Sequence, residues 1–231
     1  MSAPTRRPKG RTSPFTIVGV VLLVVGLGCL GWVGYQILGT NIVSERAFDA
    51  QRTELRTQWD QETEADPVGK KDPSTSEDAE STAIEGDVTA LLRIPAFGSD
   101  YEIPILEGVS LTTLNEGVGH YPGTDNPGEI GNFAVAGHRI THGQPFAKLL
   151  SLKAGDKVIV ETRQAIYTYV LDDAPKDLTV QETATWVVDP VPGETDVEPT
   201  EAMITLTTCQ DLFRSPDRSV GFGHLDTTQN K

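Results

Sequence analysis

The sequence predicts an all-β domain, a barrel or a sandwich, carried behind an apolar N-terminal segment. Three observations lead there. Between residues 88 and 226, short apolar alternations recur as ALLRIP, YEIPIL, NFAVAG, KVIVET, AIYTYVL, MITLTT and SVGFGHL, the period-two pattern of half-buried strands. Gly, Pro and Asp turns such as Ala154-Gly155-Asp156 separate them, at the spacing of an all-β architecture. No βαβ rhythm, glycine-rich phosphate loop or internal repeat breaks the series. The span is long enough to bury a hydrophobic core.

Residues 1–14 form a basic tail with Arg6, Arg7, Lys9 and Arg11, and no acidic residue precedes Glu45. Phe15 to Leu38 is an uncharged run of 24 residues, long enough to cross a bilayer as a helix. The positive-inside rule keeps the tail in the cytoplasm and exports everything after residue 38. Trp32 and Tyr35 suit the aromatic belt at its outer end. A cleaved signal peptide is the rival, but the run exceeds a usual signal core and VGYQILGTN offers no small-x-small cleavage site. The expectation is an uncleaved, single-pass anchor in the lipid bilayer.

Residues 39–65 are rich in helix formers, with Phe48, Leu55 and Trp59 recurring at seven and four residue intervals. They predict a helical stalk, its narrow apolar stripe partly exposed or serving self-association. Residues 66–87 are polar and acidic with two prolines, too poor in apolar surface to offset ordering entropy, and predict a flexible linker. Within the folded part, 88–226, short helical turns are expected at Leu111–Glu116 and Phe146–Ser151. Residues 227–231 read as a tail.

The net charge is −14, and because the only charges before Glu45 are basic, the exported part is more acidic still. That excludes nucleic acid as a natural partner and suits a soluble surface outside the cell.

The chemistry centres on MITLTTCQDLFRSPDR, residues 203–218. Ile204 and Leu206 alternate with Thr205 and Thr207 in a short strand that ends on Cys209, ahead of a polar loop. The other cysteine, Cys29, lies inside the apolar run, so Cys209 has no intrachain partner in an oxidising compartment. An exported domain rarely keeps an idle single thiol, which favours a nucleophile over a buried packing residue. A nucleophilic Cys needs an acid–base group and an oxyanion clamp. Of four histidines, His138 follows the strand NFAVAG and sits at a strand end. His142 reads as exposed and idle, His120 as a loop residue near a substrate groove, and His224 as a satisfied edge group. A metal pair of His138 and His142 lacks a third ligand. Arg218 opens the last strand, where a hairpin returns it beside the thiol, whereas Arg214 lies in the loop tip.

TLTTC, Arg218 nine residues later, and AGHRITHGQPF about 70 residues upstream together resemble the sortase family. GHYPGT, PGEIGNFAVAGHR and YQILGTN are most similar to its class E branch. The resemblance implies a closed eight-stranded β-barrel with short helices and a membrane-anchored cysteine transpeptidase. Its site residues fall on His138, Cys209 and Arg218, with Tyr121 and Thr208 as substrate-binding positions. It further implies that Cys209 attacks the Thr–Gly carbonyl of an LPXTG-like or LAXTG-like sorting signal on a surface protein. His138 then protonates the departing amine, and an amine on a cell-wall precursor resolves the thioacyl enzyme. One departure is QDLFRSPD after the Cys, where class E sequences often carry Asn-Pro or His-Pro. A secreted cysteine hydrolase and a noncatalytic scaffold are the alternatives. No cofactor is expected; Glu194, Asp196, Glu198 and Glu201 make a calcium loop conceivable, but without a Gly-kinked ligand loop they read as solvated.

Overall fold

The computed structural model of the protein describes residues 13–65, 83–194, 196–209 and 215–231. It contains two compact units, Met1–Gly39 and Thr40–Lys231. The basic residues 6–11, most of the expected linker (66–82) and Arg214 lie outside the described residues.

In the first unit, helix α1 spans Pro14–Gly34, with Ser13 extended at its cap and Pro14 opening the first turn, where a missing N–H costs nothing. Its Val and Leu side chains are exposed, and it is long and apolar enough to cross a membrane; 21 residues span about 31 Å at the α-helical rise. A π-helical stretch follows at Tyr35–Gly39.

The second unit begins with α2, Thr40–Ala65, and then a barrel. Its strands are β1 (Val88–Arg93), β2 (Ile103–Glu107), β3 (Val118–His120), β4 (Gly131–Ala136), β5 (Lys157–Glu161), β6 (Ala165–Leu171), β7 (Thr179–Gln181), β8 (Ala202–Cys209) and β9 (Asp217–Asn230). The sheet runs β6-β5-β1-β2-β3-β4-β8-β9 and closes through β9–β6, an eight-stranded ring to which β7 adds on the first residues of β9. β2–β3 and β4–β8 are parallel and the other pairs antiparallel, so the closed barrel is mixed. Closure removes the sheet edges that would otherwise invite pairing with another chain.

All seven apolar alternations noted in the sequence became strands. β3 and β7, three residues each, are too short to show a period and were not anticipated. The turn at Leu111–Leu114 is helix α3, capped by Ser110, whose Oγ accepts from Thr113 N at 3.3 Å. Within Phe146–Ser151 a 3₁₀ turn forms at Leu149–Ser151. The alternation of buried and exposed positions is lost in β4, where all six residues are buried. The reason is that its outer face is covered by the 3₁₀ turn Thr185–Val188: Asn132 donates to Asp189 O at 2.9 Å and Val187 O at 3.3 Å.

Three expected boundaries move. The stalk is part of the domain: Phe48 and Leu55 are 3 % and 5 % exposed, and Phe48 joins the core with Ile105, Val135 and Leu206. The apolar stripe at these two positions is therefore covered by the chain's own barrel. Arg56 adds ion pairs to Glu102 (2.7 Å) and Glu161 (3.6 Å). The terminal tail is also strand, with Asn230 opposite Ala165, and Lys231 bridges Glu161 at 2.7 Å while lying over the Trp59 ring. Burial raises the pKa of Glu161, but its contacts with Lys231, Arg56 and Arg93 outweigh that and hold the carboxyl below its ordinary value. At the end of the expected linker, Gly86 N donates to Glu107 O at 2.8 Å, so residues 83–87 lead into the barrel as ordered chain.

Candidate active site

Two strand pairings assemble the site. β4 and β8 run parallel, with Ala134 opposite Thr205 and Ala136 opposite Thr207. Beyond Ala136 the backbones stay tied, since Gly137 N donates to Thr207 O at 3.1 Å and Thr208 Oγ1 donates to Gly137 O at 2.8 Å. Continuing that register by two residues brings His138 level with Cys209. On the other side, β8 and β9 are antiparallel and Cys209 is the direct partner of Arg218. Directly opposed residues project from the same face, with Cβ atoms about 5 Å apart. Three neighbouring strands thus deliver His138, Cys209 and Arg218 to one end of the barrel.

Cys209 is a half-buried free thiol. His138 is held at its backbone by Phe146 N, which donates to His138 O at 2.9 Å. Its ring Nε2 lies 3.1 Å from Asn115 Oδ1. With the amide oxygen there, Nε2 carries the proton and Nδ1 remains the basic nitrogen. Burial, reinforced by the neighbouring His142, pulls the His138 pKa down to about 4. The resting imidazole is therefore neutral at pH 7 and able to accept a proton.

The Arg218 guanidinium donates to Ser215 O at 2.6 Å, to Asp217 O at 3.2 Å and to Glu182 Oε2 at 2.7 Å. A rigid fork held in this way keeps its orientation better than a flexible ammonium. Tyr121 stands beside β8, its hydroxyl 3.2 Å from Thr207 Oγ1. Thr208, expected as a substrate-binding position, is instead buried, and its hydroxyl, turned to Gly137, ties together the strand ends that bear the thiol and the imidazole.

Two histidines differ from the sequence reading. His120, expected in a loop near substrate, ends β3 and is 5 % exposed. Glu107 sits 2.9 Å from its Nδ1, while Thr124 Oγ1 and Asp125 O sit 2.9 Å and 3.2 Å from its Nε2. His142, expected idle, is half-buried with its ring 5.1 Å from that of His138, and burial lowers its pKa too. His224 is the anticipated edge group, 2.6 Å from Asp172. Sequence reasoning missed Asn115. It lies at the C-terminal end of α3 in TTLNEG, and nothing in that pattern announces a contact with a histidine 23 residues away.

Among the described residues, no group of three or more His, Cys, Asp or Glu side chains is arranged to hold a metal ion. A cavity of about 280 Å³ lies between α2 and the barrel, lined by Phe48, Arg52, Tyr101 and Lys148. None of the three site residues lines it.

A family model described as the sortase domain matches residues 92–226. The chain belongs to the sortase family. It is 31 % identical over 230 residues to sortase SrtE1 of Streptomyces coelicolor, an alignment that covers 96 % of this chain and 60 % of that relative. This sortase therefore spans less than two thirds of that relative's length. Among solved structures, sortase E of Streptomyces avermitilis is 38 % identical with a TM-score of 0.57, covering 64 % of this chain and 93 % of that one. Sortase E1 of Streptomyces coelicolor with a tripeptide in the active site is 33 % identical, with a TM-score of 0.55, covering 63 % and 91 %. The chain is class E-like, and the closed eight-stranded barrel expected of that branch is present.

Proposed function

We propose that this sortase is a membrane-anchored cysteine transpeptidase. It cleaves a C-terminal sorting signal of the LPXTG or LAXTG kind between Thr and Gly and joins the Thr carboxyl to an amine of a cell-wall precursor. Its substrates are surface proteins that carry such signals. α1 is the anchor, the basic N-terminus stays in the cytoplasm, and the barrel works outside the cell.

The observation that carries the reading is the strand register that aligns His138, Cys209 and Arg218. Cys209 Sγ attacks the scissile carbonyl as its proton passes to the neutral His138 imidazole. Collapse of the tetrahedral adduct breaks the C–N bond, and the imidazolium returns that proton to the departing glycyl amine. An acceptor amine then attacks the thioacyl carbonyl, gives a proton to His138, and leaves an amide while the thiol is reprotonated. Arg218 donates hydrogen bonds to the substrate backbone or the oxyanion. Tyr121 contributes to reading the signal, and Thr208 acts from beneath by keeping the two strand ends together. The tripeptide in the active site of the Streptomyces coelicolor relative supports a peptide substrate. Water in place of the amine yields the free acid, a hydrolytic side activity.

The test is to incubate the protein with LPXTG and LAXTG peptides, with and without an amine, and to identify products by mass. Thr–amine adducts are expected. Free acid in both conditions would mark a hydrolase, and no turnover a scaffold.

A further inference from the structure

The turn that follows His138 is unusual in its backbone. His142, Gly143 and Gln144 have φ of 56°, 77° and 51° in succession. Non-glycine residues in the left-handed region carry strain and persist only where the surroundings over-determine them. Here the surroundings are α2. Gly143 N donates to Asn41 Oδ1 at 2.9 Å, a contact between residues 102 positions apart. A Cβ added to Gly143 would overlap Phe48 Cε2, so the helix packs on the turn as closely as a glycine allows. From the barrel side, Tyr101 Oη donates to Pro145 O at 2.7 Å.

α2 also reaches the other flank of the imidazole. Ser44 Oγ donates to Asn115 O at 2.8 Å, and Gln51 Nε2 lies 3.3 Å from Glu116 Oε2. Asn115 is the residue whose side chain bonds His138 Nε2. Asn41 and Ser44 are 9 % and 4 % exposed. Such burial of small polar groups is costly unless their bonds are made. One turn of α2 therefore grips both neighbours of the catalytic histidine: the turn bearing His142, packed against its ring, and Asn115, bonded to its nitrogen.

We propose that α2 is a positioning element for the acid–base histidine, with Asn41 and Ser44 as positioning residues that fix the His138 ring through Gly143 and Asn115. The inference rests on the reading of His138 as the acid–base group. On this view the helix is more than a spacer. Without its grip, the strained turn relaxes, His142 leaves the imidazole, and Asn115 no longer selects the Nε2–H tautomer. A displacement of about an ångström in a reacting group is enough to cost on the order of 10²-fold in rate.

The full-length protein in detergent micelles is the material for the test. Compared are wild type, Asn41→Ala and Ser44→Ala singly and together, the conservative pair Asn41→Asp with Ser44→Thr, and Arg56→Ala. Arg56→Ala loosens α2 at the Glu102 and Glu161 ion pairs without touching the neighbours of His138. For each, kcat and KM for amine-dependent peptide cleavage, the unfolding temperature, and the His138 ring ¹⁵N shifts at pH 7 are measured. The double alanine variant is expected to lose roughly 10- to 100-fold in kcat with KM within a few-fold, and its ring shifts should move from the Nε2–H tautomer to a mixture. The conservative pair should recover most of the rate. Arg56→Ala should retain wild-type kcat and ring shifts even where it lowers the unfolding temperature. If the double variant does not fold, the single variants carry the same comparison.

Unchanged ring shifts and kcat in folded alanine variants would overturn the proposal. So would an equal loss of kcat in Arg56→Ala at a matched unfolding temperature, since α2 would then act only through stability. Should wild type form no amine adduct, the transpeptidase reading fails by itself. The ring shifts then decide the positioning inference: movement in the alanine variants upholds it, and no movement ends it.

Discussion

His120 ends β3 and His138 lies just past the end of the neighbouring β4, and the two differ in almost everything that matters to chemistry. His120 lies opposite Val135 of β4, buried, with Glu107 on one ring nitrogen and Thr124 and Asp125 on the other. Both nitrogens are spoken for by the fold. His138 begins where β4 ends, with Asn115 on one nitrogen and the strand carrying the thiol alongside. A histidine whose two nitrogens are both partnered inside the barrel stabilises it. Among the described residues His138 has a partner on one nitrogen, and the proposed chemistry uses the other. The difference lies in position: His120 is paired within β3, opposite Val135, while His138 comes two residues after β4 ends at Ala136.

The sharpest way to break this contrast is by substitution at the site. Cys209→Ala should abolish transpeptidation, and His138→Ala should lower kcat by about 10²–10⁴-fold, in steady-state assays with a peptide and an amine. His120→Ala should leave activity per folded molecule within a few-fold. Its cost should appear in denaturant unfolding instead, on the order of 1–3 kcal/mol, because Glu107 and its neighbours lose their buried partner. Reversal of the two phenotypes would show that the wrong histidine has been given the role.

Next in size is Arg218→Lys. The charge survives but the planar fork does not, and loss of one donor to a developing oxyanion costs about 10²–10³ in rate. Thiol alkylation and circular dichroism first establish that the variant is folded; near-wild-type kcat would remove Arg218 from the clamp.

A third difference concerns pH. His138 is held down to about 4 by burial and His142, against about 6.5 for a histidine in the unfolded chain. Between those values the unfolded chain binds more protons, so stability falls as pH drops from about 6.5 towards 4. His138 accounts for a loss on the order of 3 kcal/mol across that window. His138→Gln should flatten this part of the stability–pH curve in urea titrations, and an unchanged slope would remove His138 as its source. The smallest expected effect is from His142→Asn. Removing the neighbouring ring should raise the His138 pKa in an NMR titration, with burial still the larger cause; a fall would contradict the sign.

Much of this was written in the chain. The thiol at the end of ITLTT, the histidine after NFAVAG and Arg218 at the start of the last strand could be placed because each sits at the boundary of a period-two pattern, and parallel or hairpin pairing then aligns the boundaries. What stayed hidden has a common physical cause. Strands of three residues show no period, so β3 was invisible and His120 read as a loop residue. The α2 stripe of Phe48 and Leu55 shows that a helix buries one face, but not whether against another chain or its own barrel. Asn115 and Asn41 are polar residues whose roles depend wholly on tertiary contact. Hydrophobic pattern carries the framework, and the polar contacts around the His138 ring leave no local trace.

The most direct measurement is the intact mass of the protein after brief mixing with an LPXTG or LAXTG peptide in the absence of amine. A thioacyl adduct equal to the peptide up to and including its Thr is expected, mapped to Cys209, absent from Cys209→Ala, slowed in His138→Ala and formed normally in His120→Ala. An adduct on any other residue, or one whose formation depends on His120 rather than His138, would contradict that expectation.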